Sequence, residues 1–365
     1  MKQIRIGAIG YGYWGPNLIR NFVEIPSSVV VAVADLNESR LAHLRERHPQ
    51  ISVTTRNFRD LFDMDLDAVI VATPPHTHYA VVRECLENEL HVLVEKPLTL
   101  ESDDARDLIR IAEENNCILM VGHTFEYNPA VRALKAMIDS GELGKIQYID
   151  AVRVSLGLFS SHLNVIWDLA PHDISILLYL LDAEPVSVAA QGNHCVQEDI
   201  EDVAYLTMRF PDNILTHMRL SWLDPRKTRR ITVVGSKKMV IYDDVESQEK
   251  LKVYDKRVDA IRHTDTFGEF HFAYHYGDVV SPYVRFDEPL RVECNHFLEC
   301  IHEGKRPQTD GENGLRVVQI IEAAQRSLKN GNEVVAYDTV NGSRSNGNGN
   351  GQGMDVTVGE RMVHV

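Results

Sequence analysis

Residues 4–23 read IRIGAIGYGYWGPNLIRNFV, and this stretch decides the fold of the first third of the chain. Ile4–Ile9 is an apolar run of strand length, and Asn17–Val23 has the character of a helix. Between them Gly10, Gly12 and Gly15 fall in the spacing G-x-G-x-x-G, with Tyr13 and Trp14 before the last glycine. A strand before such a turn and a helix after it is the context in which the spacing signals dinucleotide binding. Gly10 permits a tight turn, Gly12 lets the backbone approach a pyrophosphate, and Gly15 lets helix and strand pack closely. The helix start then offers free N–H groups and a positive dipole end to phosphate, with Tyr13 and Trp14 beside it. Pro16 suits the first helical turn, where its missing N–H costs nothing.

A second apolar run, Val29–Ala34, ends at Asp35, twenty residues beyond Gly15. A carboxylate there accepts hydrogen bonds from a ribose 2′-hydroxyl and repels a 2′-phosphate, which favours NAD over NADP. Arg40 works against that preference. The competing reading is a plain tight turn and an acidic strand end; strand, helix and acid in register argue against it.

At 365 residues the chain is long for one core, so two domains are expected. A formal net charge of -15 argues against nucleic acid or an anionic membrane as a partner. No apolar run reaches membrane-spanning length, and the N-terminus opens on a strand, not on a signal peptide. Cys85, Cys117, Cys195, Cys294 and Cys300 form no C-x-x-C pair, so neither zinc nor a disulfide is called for. A cytoplasmic setting is expected.

The first third alternates strand and helix. Val29–Asp35, Asp67–Ala72, His91–Glu95 and Ile118–Gly122 suit buried parallel strands; Glu38–Arg47, Thr77–Glu87 and Asp103–Asn115 suit the helices between them. The pattern predicts an α/β, doubly wound Rossmann domain over residues 1–123. From 124 to 340 the order changes. Helices are expected at Pro129–Ser140 and Trp167–Leu181, with Pro171 compatible with a first helical turn. Strands follow at Val186–Ala190, Val203–Phe210, Ile214–Trp222, Arg230–Val234 and Lys238–Tyr242, with turns at Asp212-Asn213 and Gly235-Ser236. Strands in succession imply an α+β domain with a largely antiparallel, open-faced sheet, for substrate binding and association into a homodimer or homotetramer. Two helices close it, Pro289–Glu303 and Glu312–Asn330, the second with a possible capping box from Thr309 to Glu312. Asn341–Gly353 is low in complexity and reads as a flexible linker before a 354–365 tail.

Two further patterns carry chemistry. Glu95-Lys96-Pro97 ends a predicted strand, and strand C-termini face the ligand crevice in a doubly wound sheet. Lys96 would then point at a nicotinamide, where an ammonium can stabilise a forming alkoxide. The bond before Pro97 is a candidate cis peptide. Trp167-Asp168-Leu169-Ala170-Pro171-His172 places Asp168 and His172 four apart, on one helical face. A carboxylate can hold an imidazole in one tautomer and make it a better base. The alternatives, a surface lysine and a capping aspartate with a core histidine, stay open on position alone.

Taken together, the glycine turn at Gly10–Gly15, Thr73-Pro74-Pro75 with His78, Glu95-Lys96-Pro97 and Asp168-x-x-x-His172 resemble the Gfo/Idh/MocA oxidoreductases in motif order over residues 2–337. The resemblance implies a Rossmann domain joined to an open-faced sheet domain. It also implies that Lys96 and His172 flank the reacting carbinol, with Asp168 assisting. Thr73, Pro74, His78 and Glu95 join the cofactor set on the same ground, with His76 and His78 expected to order the loop beside the cofactor and not to bind metal. One position departs: where the family often has an aspartate three residues after the histidine, this chain has Ser175, with Asp173 directly after His172.

The reaction implied is reversible hydride transfer between a secondary alcohol and NAD. Gly122–Lys135, Asn164–Leu177 and Ser221–Lys227 look like members that oxidise the 3-hydroxyl of a UDP-N-acetylhexosamine. Arg226 and Lys227, in the basic run Arg226–Arg230, could meet a diphosphate; a solvated hairpin end is the other reading. His123, Tyr127 and Asn128 are candidates for sugar contacts or for a polar hinge. Glu269, His271 and His275 could share a strand face, but alternating aromatics around them favour sheet packing or a subunit contact, and no metal is expected. An inositol or free-sugar dehydrogenase, or a 3-ketosugar reductase, shares every catalytic residue. A non-catalytic NAD-binding sensor is the alternative of another class.

Overall fold

The computed structural model describes residues 3–261 and 271–337. Its first sheet is built from β1 (Ile4–Ile9), β2 (Ser28–Ala34), β3 (Val53–Thr55), β4 (Ala68–Val71), β5 (His91–Glu95) and β6 (Leu119–Gly122). The six strands run parallel in the order β3-β2-β1-β4-β5-β6. Helices α1 (Gly15–Glu24), α2 (Glu38–Arg47), α3 (His78–Glu87) and α4 (Ser102–Glu114) connect them. The strands are buried on both faces, which is why they read as continuous apolar runs. β1 lies between β2 and β4, so the order reverses there and a crevice opens at the carboxyl ends of the two strands. Only β3 escapes the sequence pattern: three half-buried residues, VTT, at the sheet edge.

The second sheet contains β7 (Ile146–Val154), β8 (Ser187–Asn193), β9 (Val203–Phe210), β10 (Ile214–Ser221), β11 (Thr228–Gly235), β12 (Met239–Asp243), β13 (Leu251–Ile261), β14 (His271–Val280) and β15 (Val335–Ala336). These nine are ordered β14-β13-β12-β11-β7-β10-β9-β8-β15. Every pairing is antiparallel except that of β7 with β10. The turn between β9 and β10 has Asp212 and Asn213 at positive φ, a conformation these two residue types tolerate. β7 occupies the centre yet was not among the predicted strands. Asp150 and Arg153 interrupt its apolar pattern, and Arg153 is nevertheless buried, because it pairs with a carboxylate on the helix above.

Helices α5 (Pro129–Asp139), α6 (Val165–Leu181) and α8 (Gly311–Lys329) cover one face of this sheet and form its core with Leu206, Met208, Met218 and Ile231. The opposite face stays open, with Tyr205, Tyr274 and Tyr276 exposed. Between β14 and α8, helix α7 (Pro289–Glu303) returns to the first sheet: Leu290, Cys294, Phe297 and Leu298 join its core, and Phe297 meets Phe22 edge-on at 6.3 Å. Each such fully buried side chain contributes about 1.5–3 kcal/mol.

Two helix starts differ from the sequence reading. α6 begins at Val165, capped by Asn164, whose side chain accepts from the Trp167 N–H. Pro171 therefore lies inside the helix, not in its first turn, and the Trp167 carbonyl has no N–H to receive from it. α8 is capped by Asp310, whose side chain accepts from the Asn313 N–H. Thr309 instead donates to the Val121 carbonyl and joins the helix start to β6. Residues 341–353 and 354–365, read as linker and tail, lie outside the described residues. Among the described residues no helix is long and apolar enough to cross a membrane.

Candidate active site

A cavity of about 1180 Å³ opens at the carboxyl ends of β1, β4 and β5 and reaches α6 and β11. Gly10, Gly12, Tyr13, Trp14, Asp35 and Arg40 line it on the β2 side; Thr73, Pro74, Glu95 and Lys96 follow; Asn128, Asp168, His172, Arg229 and Asp244 line it toward the second sheet.

The three glycines are required for different reasons. Gly10 has φ +99°, and a β-carbon on it would stand 2.6 Å from the Ala72 carbonyl oxygen. A β-carbon on Gly15 would stand 2.3 Å from the Gly10 carbonyl oxygen. On Gly12 it would meet only the tip of Arg40, at 3.7 Å. No internal packing demands glycine at position 12; the space left by its missing side chain faces the cavity. This fits the close approach of a dinucleotide pyrophosphate. The Asp35 carboxylate accepts from the N–H groups of Tyr11 (2.7 Å) and Asn37 (2.8 Å), so it also holds the glycine turn, and Arg40 lies 3.5 Å from it.

His78 is fully buried and does not line the cavity. Its Nδ1 is 2.8 Å from the Pro97 carbonyl and its Nε2 is 2.9 Å from the Thr73 carbonyl. It therefore ties the loop after β4 to the turn after β5, the loop-ordering role expected of it, and its place in the cofactor-binding set is corrected to that role. The Lys96–Pro97 bond is cis. Glu95 lies in the cavity wall, where burial pushes its pKa up to about 7 despite the adjacent Lys96 and a hydrogen bond from Trp14.

The Asp168–His172 pairing read from their spacing needs correction. Both residues line the cavity, but the carboxylate serves other groups. The Trp222 indole N–H donates to Oδ2 at 2.9 Å, and Lys96 Nζ lies 3.6 Å from Oδ1 while donating to the Asp168 backbone carbonyl at 2.7 Å. Spacing along the helix put Asp168 and His172 on one face; it could not show that Trp222, from the end of β10, and Lys96, from the end of β5, reach the carboxylate. Asp168 thus holds Lys96. His172 has a buried Nδ1 without a hydrogen-bond partner, and its ring meets Phe125 edge-on at 5.1 Å. Burial first, then the charges of Lys96 and Arg153, push its pKa well below the usual histidine value, so the imidazole is neutral at pH 7.

Other candidates are rearranged by the tertiary structure. His123 is buried behind the wall, both ring nitrogens without partners, and burial pushes its pKa down to about 3. Tyr127 is also buried behind the wall: its hydroxyl lies 3.0 Å from Thr309 Oγ1 and its ring lies under the Arg132 guanidinium. Asn128 does line the cavity, but it caps α5 through the Ala130 N–H and donates to the Tyr242 hydroxyl at 3.1 Å. Arg226 and Lys227 are exposed and do not line the cavity. From the same basic run Arg229 does, with Asp244 3.5 Å away. The sequence reading missed Asp244, Phe125 and the buried Trp222. Trp222 lies within a stretch singled out for its resemblance, but nothing along the chain tied it to Asp168. Glu269 lies outside the described residues, and of the remaining pair of the conceivable cluster, His275 faces Asp255 at 3.0 Å. Among the described residues no group of three or more His, Cys, Asp or Glu side chains could hold a metal ion.

The arrangement unites a dinucleotide cradle, an ammonium and a neutral imidazole on one cavity, the set needed to move a hydride and a proton from one carbinol. Comparison with known proteins identifies the family. Residues 4–123 match the family model for the oxidoreductase family with an NAD-binding Rossmann fold, and residues 131–241 match the C-terminal domain of Gfo/Idh/MocA proteins. The chain is 30% identical to UDP-N-acetylglucosamine 3-dehydrogenase of Acidithiobacillus ferrooxidans over 64% of this chain and 72% of that protein. A solved structure of the 3-dehydrogenase from that organism superposes with a TM-score of 0.74 at 25% identity, covering 90% of this chain and 99% of the other. Myo-inositol 2-dehydrogenase of Thermotoga maritima is 26% identical over 89% of this chain and 96% of its own. The chain belongs to the Gfo/Idh/MocA oxidoreductases, as an NAD-dependent dehydrogenase acting on CH–OH groups.

Proposed function

We propose that the protein oxidises the 3-hydroxyl of a UDP-N-acetylhexosamine, with Lys96, His172 and Asp168 as its working residues. NAD, when bound, supplies the acceptor for the carbinol hydride. Gly10, Gly12, Tyr13, Trp14, Asp35, Thr73, Pro74, Glu95 and Lys96 hold and orient it, with Gly15 letting the helix start pack under the turn and His78 bracing the loops. His172 takes the hydroxyl proton, for which a neutral imidazole is required. Lys96 stabilises the negative charge developing on the oxygen. Asp168 holds Lys96 in place, a role changed from the one its spacing suggested. In the reverse direction the same groups reduce a ketone.

The observation that carries the substrate reading is the cation at the second-sheet end of the cavity. Arg229 faces the space there, and Asp244 is shared between Arg229, Lys250 at 3.6 Å and the Tyr242 hydroxyl at 3.0 Å. Lys250 lies behind the wall and takes part of the Asp244 charge, so Arg229 offers a cation at the cavity, which suits a diphosphate better than a neutral polyol. The similarity to the Acidithiobacillus protein supports the same choice. A second reading, an inositol 2-dehydrogenase, is favoured by relatives aligned over nearly their whole length.

The deciding experiment mixes purified protein and NAD with UDP-N-acetylglucosamine, its uronate and galacto analogues, glucose and myo-inositol, following reduced-nicotinamide absorbance, with a ketoacid in parallel to recycle retained NADH. Turnover confined to nucleotide sugars supports the proposal; turnover confined to myo-inositol or glucose overturns it. We further propose association into a homodimer or homotetramer through the open sheet face, supported by the exposed Phe272, Tyr274 and Tyr276 on β14. A monomer by light scattering would refute that.

A further inference from the structure

The imidazole of His172 lacks the carboxylate that usually orients a catalytic histidine, and its Nδ1 finds no hydrogen-bond partner. Something else must hold the ring. Its neighbour in the chain, Asp173, points the other way, toward the second sheet, and accepts two hydrogen bonds from Arg153 on β7: from Nε at 2.9 Å and from Nη2 at 2.7 Å. Both side chains are nearly inaccessible, at 5% and 4%. The Arg153 guanidinium lies over the Phe125 ring, 4.5 Å from its centroid. Phe125 then meets the His172 ring edge-on at 5.1 Å. The contacts close a circuit: His172, Asp173, Arg153, Phe125 and back to His172.

From this circuit we infer that the Arg153–Asp173 pair, acting through Phe125, is the positioning device for the proton-accepting imidazole. The planar fork of arginine suits the task, because it can bind a carboxylate with two parallel bonds and present a flat face to an aromatic ring at once. A buried ion pair is poor evidence for stability, since desolvation offsets most of its attraction, but it fixes one geometry. Here the fixed geometry is the rotation of α6 against β7, and with it the direction of His172. The pair also has an electrostatic side. The charged and titratable groups around His172 are Lys96 from the end of β5, Arg153 on β7, His123 after β6 and Arg229 on β11, with Asp168 one turn back on α6 engaged by Lys96 and Trp222. Arg153 is among the cations that disfavour the imidazolium and keep the ring neutral. The inference rests on the reading of His172 as proton acceptor.

Three variants of the full-length protein test it, with NAD affinity and thermal melting as controls for folding. Phe125→Leu breaks the circuit without touching a charge. Arg153→Met with Asp173→Leu removes the pair together, so no charge is left buried alone. His172→Ala tests the underlying reading. Displacing a reacting group by about 1 Å costs on the order of a hundredfold in rate. Phe125→Leu is therefore expected to lower kcat at least about tenfold at unchanged NAD affinity. The double variant is expected to lower kcat likewise with KM and NAD affinity unchanged, and because a cation and a carboxylate leave together the acid limb of kcat/KM is expected to stay in place. A purely structural pair would lower the melting temperature without lowering kcat. If Phe125→Leu and the folded double variant keep wild-type kcat while His172→Ala abolishes turnover, the positioning role is refuted and the base assignment stands. If His172→Ala itself turns over normally, the base assignment fails first.

Discussion

Gly10 and Gly12 are two residues apart in the same turn, yet alanine at each should fail in a different assay. At Gly10 the backbone has φ +99°, and the new methyl would lie 2.6 Å from a backbone carbonyl oxygen at the end of β4. Placing an L-residue in such a conformation costs about 1–2 kcal/mol. Overpacking against a group that cannot rotate away adds about 1–3 kcal/mol. At 2–4 °C per kcal/mol, Gly10→Ala should melt roughly 4–20 °C below the wild type. At Gly12 the methyl meets only a flexible guanidinium tip at 3.7 Å, so the melting temperature should stay within about 2 °C. Its methyl instead occupies the space that a pyrophosphate must approach. A steric penalty of about 1–3 kcal/mol there weakens NAD about 5–150-fold. Differential scanning fluorimetry without cofactor and calorimetric titration with NAD separate the two effects. A Gly12→Ala protein that binds NAD as tightly as the wild type would show that its open side is not the cofactor's side. A Gly10→Ala protein with an unchanged melting temperature would refute the packing argument.

Lys96→Ala and His172→Ala should each keep NAD affinity and lose most turnover; loss of binding in both, with folding intact, would transfer them from chemistry to cofactor retention. Asp35→Asn removes the charge and keeps one of the two oxygens that accept from the Tyr11 and Asn37 amides, so the NAD-to-NADP preference in kcat/KM should fall at least about tenfold. An unchanged ratio would show that Arg40 or the turn backbone sets it. Trp222→Phe deletes one N–H from Asp168, a bond to a charged group worth about 1.5–3 kcal/mol, and should lower kcat about tenfold or more while leaving NAD affinity alone; wild-type kcat would detach Asp168's orientation from catalysis. His123, pushed down to a pKa of about 3, stays neutral in the fold while an unfolded histidine takes a proton below about pH 6.5. Stability is therefore lost as pH falls from 6.5, by about 2 kcal/mol at pH 5. His123→Leu should remove that loss, so urea titrations at pH 7.5 and pH 5 should diverge less than for the wild type.

The first sheet was legible in the sequence because its strands are buried on both faces and its punctuation is local. Ile4–Ile9, Gly10–Gly15 and Asp35 each state their geometry within a few residues. The second sheet was legible as a class, from strands in succession and turns such as Asp212-Asn213, but its central strand was not. β7 carries Arg153, a cation that reads as surface until its partner Asp173 is known. The same blindness applies to helix starts: Thr309 and Asp310 are equally good caps on paper, and only the contact of Thr309 with the Val121 carbonyl assigns the cap to Asp310.

At the site, residue types and spacing along the chain determined the glycine turn and named Lys96, Asp168 and His172 as candidates, since a strand end, a cis-proline turn and a helical i,i+4 face are local properties. What those side chains touch was decided by tertiary structure alone. Asp168 turns to Lys96 and Trp222 because strands from both sheets deliver those groups to it. His123 and Tyr127 are buried behind the wall, while Arg229 replaces Arg226 and Lys227 at the cavity. Periodicity tells which way a residue faces on its own element; it carries no information about what a residue distant in the chain brings to meet it.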